Sequence, residues 1–168
     1  MDETLKEESP LGQEYLARLL IEGHMTADAF IEELFNLDQS TMSRDDALKN
    51  VEVIERPDIK EILSINCDPD RFNNFYSFTH FHVFQILAHA QNMPKALEHL
   101  KISNGYSSKI TEDKNWPIYV RATLAYCENK PNELKDLYNL MNEYNKAVVE
   151  RLINGLENRG HPVYNEDY

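Results

Sequence analysis

Three features of this 168-residue chain predict an all-α fold of stacked antiparallel helical hairpins. Proline and glycine stand where helices would start and stop. Between them, apolar residues recur at intervals of three and four. Residues 81–100 also reappear, displaced along the chain, as residues 118–137.

Ser9-Pro10 reads as a cap followed by proline at the first helical position. Tyr15, Leu16, Leu19 and Leu20 give the next stripe, and Gly23 can close that helix in the left-handed region. Thr26 caps a second helix with Ala29, Phe30, Ile31, Leu34 and Phe35 on one side, so residues 10–37 read as a helical hairpin. Ser43-Arg-Asp-Asp46 resembles a capping box, with a short helix to Ile54 that Pro57 breaks. Residues 58–65 form a further helical turn, and Asn66-Cys-Asp-Pro-Asp70 is a seam.

Residues 75–90 are almost continuously apolar and aromatic, and their length favours a helix over a strand. Asn92-Met-Pro94 opens the next helix, with Ala96, Leu97 and Leu100 inward and Gly105 as its end. After a polar connection at 106–115 come a helix from Trp116 to Cys127, a turn at Asn129-Lys-Pro131, and a stripe of Leu134, Leu137, Leu140 and Met141. A last helix spans Asn145 to Glu157, with Val148, Val149, Leu152, Ile153 and Leu156 inward, and Arg159-Gly160 stops it. Length and composition predict one compact domain: an acidic helical segment at 1–66, a two-unit repeat with a capping helix at 67–160, and a flexible tail at 161–168.

The repeat pairs Val83 with Val120, Leu87-Ala88 with Leu124-Ala125, Asn92 with Asn129, Pro94 with Pro131, Leu97 with Leu134 and Leu100 with Leu137. Such periods mark stacked supersecondary units, each of which buries its apolar face against its neighbour. The phrase Tyr119-Val-Arg-Ala-Thr-Leu-Ala-Tyr126, a short turn, then Leu134 and Leu137 resembles a tetratricopeptide-type hairpin across residues 76–143. The resemblance implies a curved stack of hairpins, with the Asn145–Glu157 helix as its cap and a groove lined by first helices. It also implies binding of protein segments. It lends architecture only, because the units depart from the family at Ile86 and Lys135, where small residues belong, and the shift of 37 (118 minus 81) exceeds the family's period.

Seventeen Lys and Arg face 29 Asp and Glu, a net charge of −12. Residues 1–66 carry −10 of it (16 acids, 6 bases). This field repels phosphate backbones and acidic lipid surfaces, so neither nucleic acid nor membrane is an expected partner. The first residues show no basic stretch followed by an apolar one, and no run is long enough to span a bilayer, which predicts a cytoplasmic protein. Cys67 and Cys127 suggest no disulfide framework.

Signatures of catalysis are missing. With five glycines there is no phosphate-cradling loop and no Gly-x-Ser-x-Gly elbow, and Asp68-Pro-Asp70 lacks the glycine and distal glutamate of a calcium loop. No cofactor is expected. His80 and His82 diverge on a helix, and His82 and His89 lie two turns apart, about 10.5 Å along the axis, which is too far for one shared zinc. Cys67 stands in a polar turn with no partner histidine evident. The repeat instead aligns His82 with Tyr119 and His89 with Tyr126. His82, Gln85, His89, Tyr119, Thr123 and Tyr126 are thus the candidate partner-binding surface, aromatic anchors with polar tips. The leading expectation is a non-catalytic adaptor for a protein or peptide. The alternatives are a metal-dependent enzyme that uses His80, His82, His89 or His99 brought together by folding, and an acidic front that binds a basic protein.

Overall fold

The computed structural model describes residues 12–41 and 44–168. All regular structure among them is helical. The chain divides into two compact units, where length predicted one domain; one ends at Asp68 and the other begins at Pro69. The expected caps at Ser9-Pro10 and Ser43 lie outside the described residues.

The first unit holds α1 (Gln13–Ile21), α2 (Ala27–Thr41), α3 (Arg44–Ile54) and α4 (Pro57–Asn66). Gly23, at φ 73°, takes the left-handed conformation that closes α1. His24 N–H then reaches the Leu19 carbonyl at 2.8 Å, and Gly23 N–H the Leu20 carbonyl at 3.2 Å. The Thr26 hydroxyl accepts the Ala29 N–H at 3.2 Å at the start of α2. Pro57 both interrupts α3 and opens α4, since a helix's first N–H needs no partner. Leu16, Phe30, Leu34, Ile54, Ile59 and Leu63 are almost wholly buried and form this unit's core. Tyr15 and Phe35, read as inward, are exposed at the edges of their stripes, and Cys67 is buried rather than open to solvent.

The second unit holds α5 (Pro69–His89), α6 (Met93–Ser107), α7 (Asn115–Cys127), α8 (Pro131–Leu140), α9 (Lys146–Arg159) and α10 (Tyr164–Asp167). Each of α5 to α8 packs on the next, α9 touches both α7 and α8, and α10 returns to α5 and α9. Gly105 does not end its helix; α6 continues to Ser107 because no left-handed residue interrupts it. The Asp70 carboxylate accepts the N–H groups of Glu112 at 2.7 Å and Thr111 at 3.0 Å, so the loop before α7 is tied to the start of α5. Those bonds, Glu112's first, hold the Asp70 carboxyl below the usual carboxylate range.

Helices α5, α6 and α7 meet through aromatic rings and one polar chain. Phe81 lies 5.1 Å from Trp116 and 5.4 Å from Tyr119, centroid to centroid. The Trp116 indole N–H donates to the Ser77 hydroxyl at 2.9 Å, and the Ser103 hydroxyl donates to the Ser77 carbonyl at 2.7 Å. Ser77 and Ser103 are fully buried, so these bonds satisfy polar groups that link α5, α6 and α7.

Helices α5 and α7 close alike, but one residue away from the register that the sequence match gives. The left-handed residues are Gln91 (φ 59°) and Asn129 (φ 56°). After them, Asn92 N–H bonds the Leu87 carbonyl at 2.8 Å and Lys130 N–H bonds the Ala125 carbonyl at 2.9 Å. Counted from these turns, Tyr126 takes the place of Ala88 and Tyr119 the place of Phe81, not those of His89 and His82. Pro94 is correspondingly the second residue of α6, whereas Pro131 is the first of α8.

Candidate functional site

The stretch read as a flexible tail is instead folded against the second unit. Gly160, at φ 74°, ends α9 in the left-handed region and turns the chain back. Pro162 follows, and residues 164–167 form α10. Tyr168 N–H bonds the Tyr164 carbonyl at 2.9 Å, and Asp167 N–H bonds the Val163 carbonyl at 3.2 Å. Positions i, i+3 and i+4 of a helical turn share a face, so Tyr164, Asp167 and Tyr168 point the same way. Tyr164 and Asp167 are buried, at 4% and 7% exposure, while Asn165 and Glu166 face solvent.

That face rests on residues singled out in the sequence. The Gln85 amide donates to the Tyr168 hydroxyl at 2.5 Å, and the Tyr119 hydroxyl lies 2.6 Å from the same oxygen. The Tyr126 hydroxyl accepts the Val163 N–H at 2.7 Å and donates to the Asp167 carboxylate. The His89 ring stands 5.8 Å from Tyr164 and 6.4 Å from Tyr168, and its carbonyl accepts the Asn165 amide at 3.3 Å. The Tyr164 ring meets Phe84 edge-on at 4.9 Å and stacks on Tyr168 at 4.6 Å.

Asp167 occupies a prepared carboxylate slot. Arg159 pairs with it from α9 and also holds Glu166 at 3.2 Å. Gly155, buried in the middle of α9, supplies the space, because a Cβ there would collide with the Asp167 carboxylate. Burial pushes the hydroxyls of Tyr119, Tyr126 and Tyr164 well above the ordinary phenol range, so all three stay neutral hydrogen-bonding groups.

The six candidate residues play different parts. Gln85, His89, Tyr119 and Tyr126 meet residues 161–168. Thr123 is fully buried and donates to the Tyr119 carbonyl at 3.0 Å, and His82 is buried on α5 at 7% exposure. Sequence reasoning missed Phe84, Gly155, Arg159 and Asp167. The available signal was Tyr164 and Tyr168 at helical spacing with an acid between them.

The histidines come together only in part. His80 and His99 bring their Nδ1 atoms to 3.0 Å, so one ring donates and the other accepts, and the rings stack at 5.2 Å. Among the described residues, no group of three or more His, Cys, Asp or Glu side chains is placed to hold a metal ion. Cys67 and Cys127 are free thiols, and burial, assisted by the neighbouring Glu128 carboxylate, pushes the Cys127 thiol up to about 12. No described helix is long and apolar enough to cross a membrane.

No protein-family model, no curated protein and no solved structure matches the chain.

Proposed function

We propose that residues 69–168 form a non-catalytic adaptor module: a stack of tetratricopeptide-like hairpins, with α9 as the capping helix, that binds a protein or peptide segment beside Gln85, His89, Tyr119 and Tyr126. The observation that carries this reading is that these four residues already hold a stretch of polypeptide, residues 161–168, by its backbone and side chains. Aromatic anchors with polar tips suit such work, because they combine large contact area with directional bonds. His82 and Thr123 belong to the supporting layer beneath that surface.

A photo-crosslinking residue tests the location. His89 is exposed at the rim, and Ile102 is exposed on α6 at 42%. A crosslinker introduced at position 89 should yield partner adducts, and one at position 102 should not. Adducts only from position 102, or only from the exposed Ile65 of the first unit, would overturn the reading.

A further inference from the structure

Resting on the adaptor reading, we infer that residues 161–168 are a displaceable intramolecular ligand, and that the partner's segment is one helical turn carrying tyrosine, a carboxylate three residues later, and a second tyrosine beside it. The occupant itself displays this chemistry. Tyr164, Asp167 and Tyr168 make the buried contacts, while Asn165 and Glu166 between them face water. A ligand is therefore read at three positions of five.

Each reading position has its own complement in the fold. The first tyrosine packs against Phe84 and beside His89. The carboxylate enters the space that Gly155 leaves, between the Arg159 guanidinium and the Tyr126 hydroxyl. The second tyrosine ends its hydroxyl between Gln85 and Tyr119. A glycine in mid-helix is itself unfavourable, by about 0.5–1 kcal/mol relative to alanine. Gly155 is consistent with a helix shaped around a carboxylate rather than for its own stability.

The occupant is built to leave. A four-residue helix cannot stand alone in water, since helix nucleation is unfavourable, so side-chain contacts hold it in place. Its approach runs through Gly160 and the exposed His161, a short link that can swing without unwinding α9. One flank is uncovered: a pocket of about 430 Å³ opens beside Met93, Leu97, Cys127 and Val163. A tethered segment acts at an effective concentration of about millimolar, so a partner must outcompete it, and its apparent affinity falls with the fraction of open grooves.

The test uses the full chain and a labelled peptide of residues 161–168. In the chain, Asp167→Asn together with Tyr168→Phe weakens the resident segment and leaves every groove residue intact. The substitutions remove or weaken four polar contacts, each worth roughly 2- to 10-fold in an equilibrium constant. Fluorescence anisotropy should show the peptide binding the variant at least about tenfold more tightly than the parent chain. A peptide bearing the same two changes should bind the variant about tenfold more weakly than the unaltered peptide. Equal binding by parent and variant, or by the two peptides, overturns the inference. So does loss of far-UV helicity in the variant, which would make the segment part of the folded core. Concentration-dependent dimers of the variant would assign the groove to a second copy of the chain and overturn it as well. If the peptide fails while crosslinks from position 89 persist, the adaptor reading stands and only the ligand chemistry falls.

Discussion

Gly155 carries no side chain where the Asp167 carboxylate lies against α9: a Cβ on that glycine would occupy the carboxylate's own position. Glycine to alanine in a helix ordinarily stabilises by up to about 1 kcal/mol. Here the sign reverses locally, because Asp167 must leave both Tyr126 and Arg159. Gly155→Ala should leave far-UV helicity near that of the parent while hydrogen exchange at Val163 and Asp167 rises sharply. Slower exchange at those two amides would refute the steric account.

The Tyr126 hydroxyl bonds two groups of residues 161–168 and the Tyr119 hydroxyl one. Tyr126→Phe strips the Val163 N–H and the buried Asp167 carboxylate of a partner, whereas after Tyr119→Phe the Tyr168 hydroxyl keeps Gln85. The expected losses are about 1–3 kcal/mol for Tyr126→Phe and about 0.5–1.5 kcal/mol for Tyr119→Phe, read from urea midpoints. The reverse order would show that Tyr126's hydroxyl has other company when the segment is away.

Gln91 holds φ 59° at the turn after α5, a conformation that costs a residue with a Cβ roughly 1–2 kcal/mol. The side chain is exposed, so little packing is lost on removing it. Gln91→Gly should raise stability by about 0.5–1 kcal/mol, whereas Asn92→Gly should lower it. This pair of variants also checks the turn register directly.

Alkaline titration has a defined direction. The folded chain keeps the Cys127 proton up to about pH 12, against an ordinary thiol value of 9.0. Between those values the unfolded chain binds fewer protons than the folded one, so stability falls as pH rises. Above about 10 the raised hydroxyls of Tyr119, Tyr126 and Tyr164 add to the fall in the same sense. Urea midpoints should therefore drop from pH 9 upward, and Cys127→Ala should remove the first part of that drop. An unchanged slope in this variant would place the titration elsewhere.

Helix ends were legible where chemistry leaves little choice. Gly23 and Gly160 sit at left-handed stops, and Pro57 and Pro131 at first positions. Gly105 misled, because glycine is tolerated inside α6 when no turn is imposed there. The match of residues 81–100 to 118–137 misses the turn register by one residue because matched leucines set the alignment, whereas the left-handed turn falls on Gln91 rather than Asn92. Tyr119 and Tyr126 stood out as polar-tipped aromatics in an apolar run, and their buried hydroxyls do bond another segment of the chain. Which segment was not legible. Residues 161–168 are short and mostly polar, and the two buried positions of α10 gain their meaning only from Gly155 and Arg159 on another helix.

Trp116 is the chain's single tryptophan, and its indole bridges α5 and α7 through Ser77. Nature has thus left an optical label in the second unit and none in the first. A thermal melt followed by indole emission tracks residues 69–168 alone, while far-UV ellipticity sums both units. The gap between the two curves would measure how independently the halves of this chain come apart.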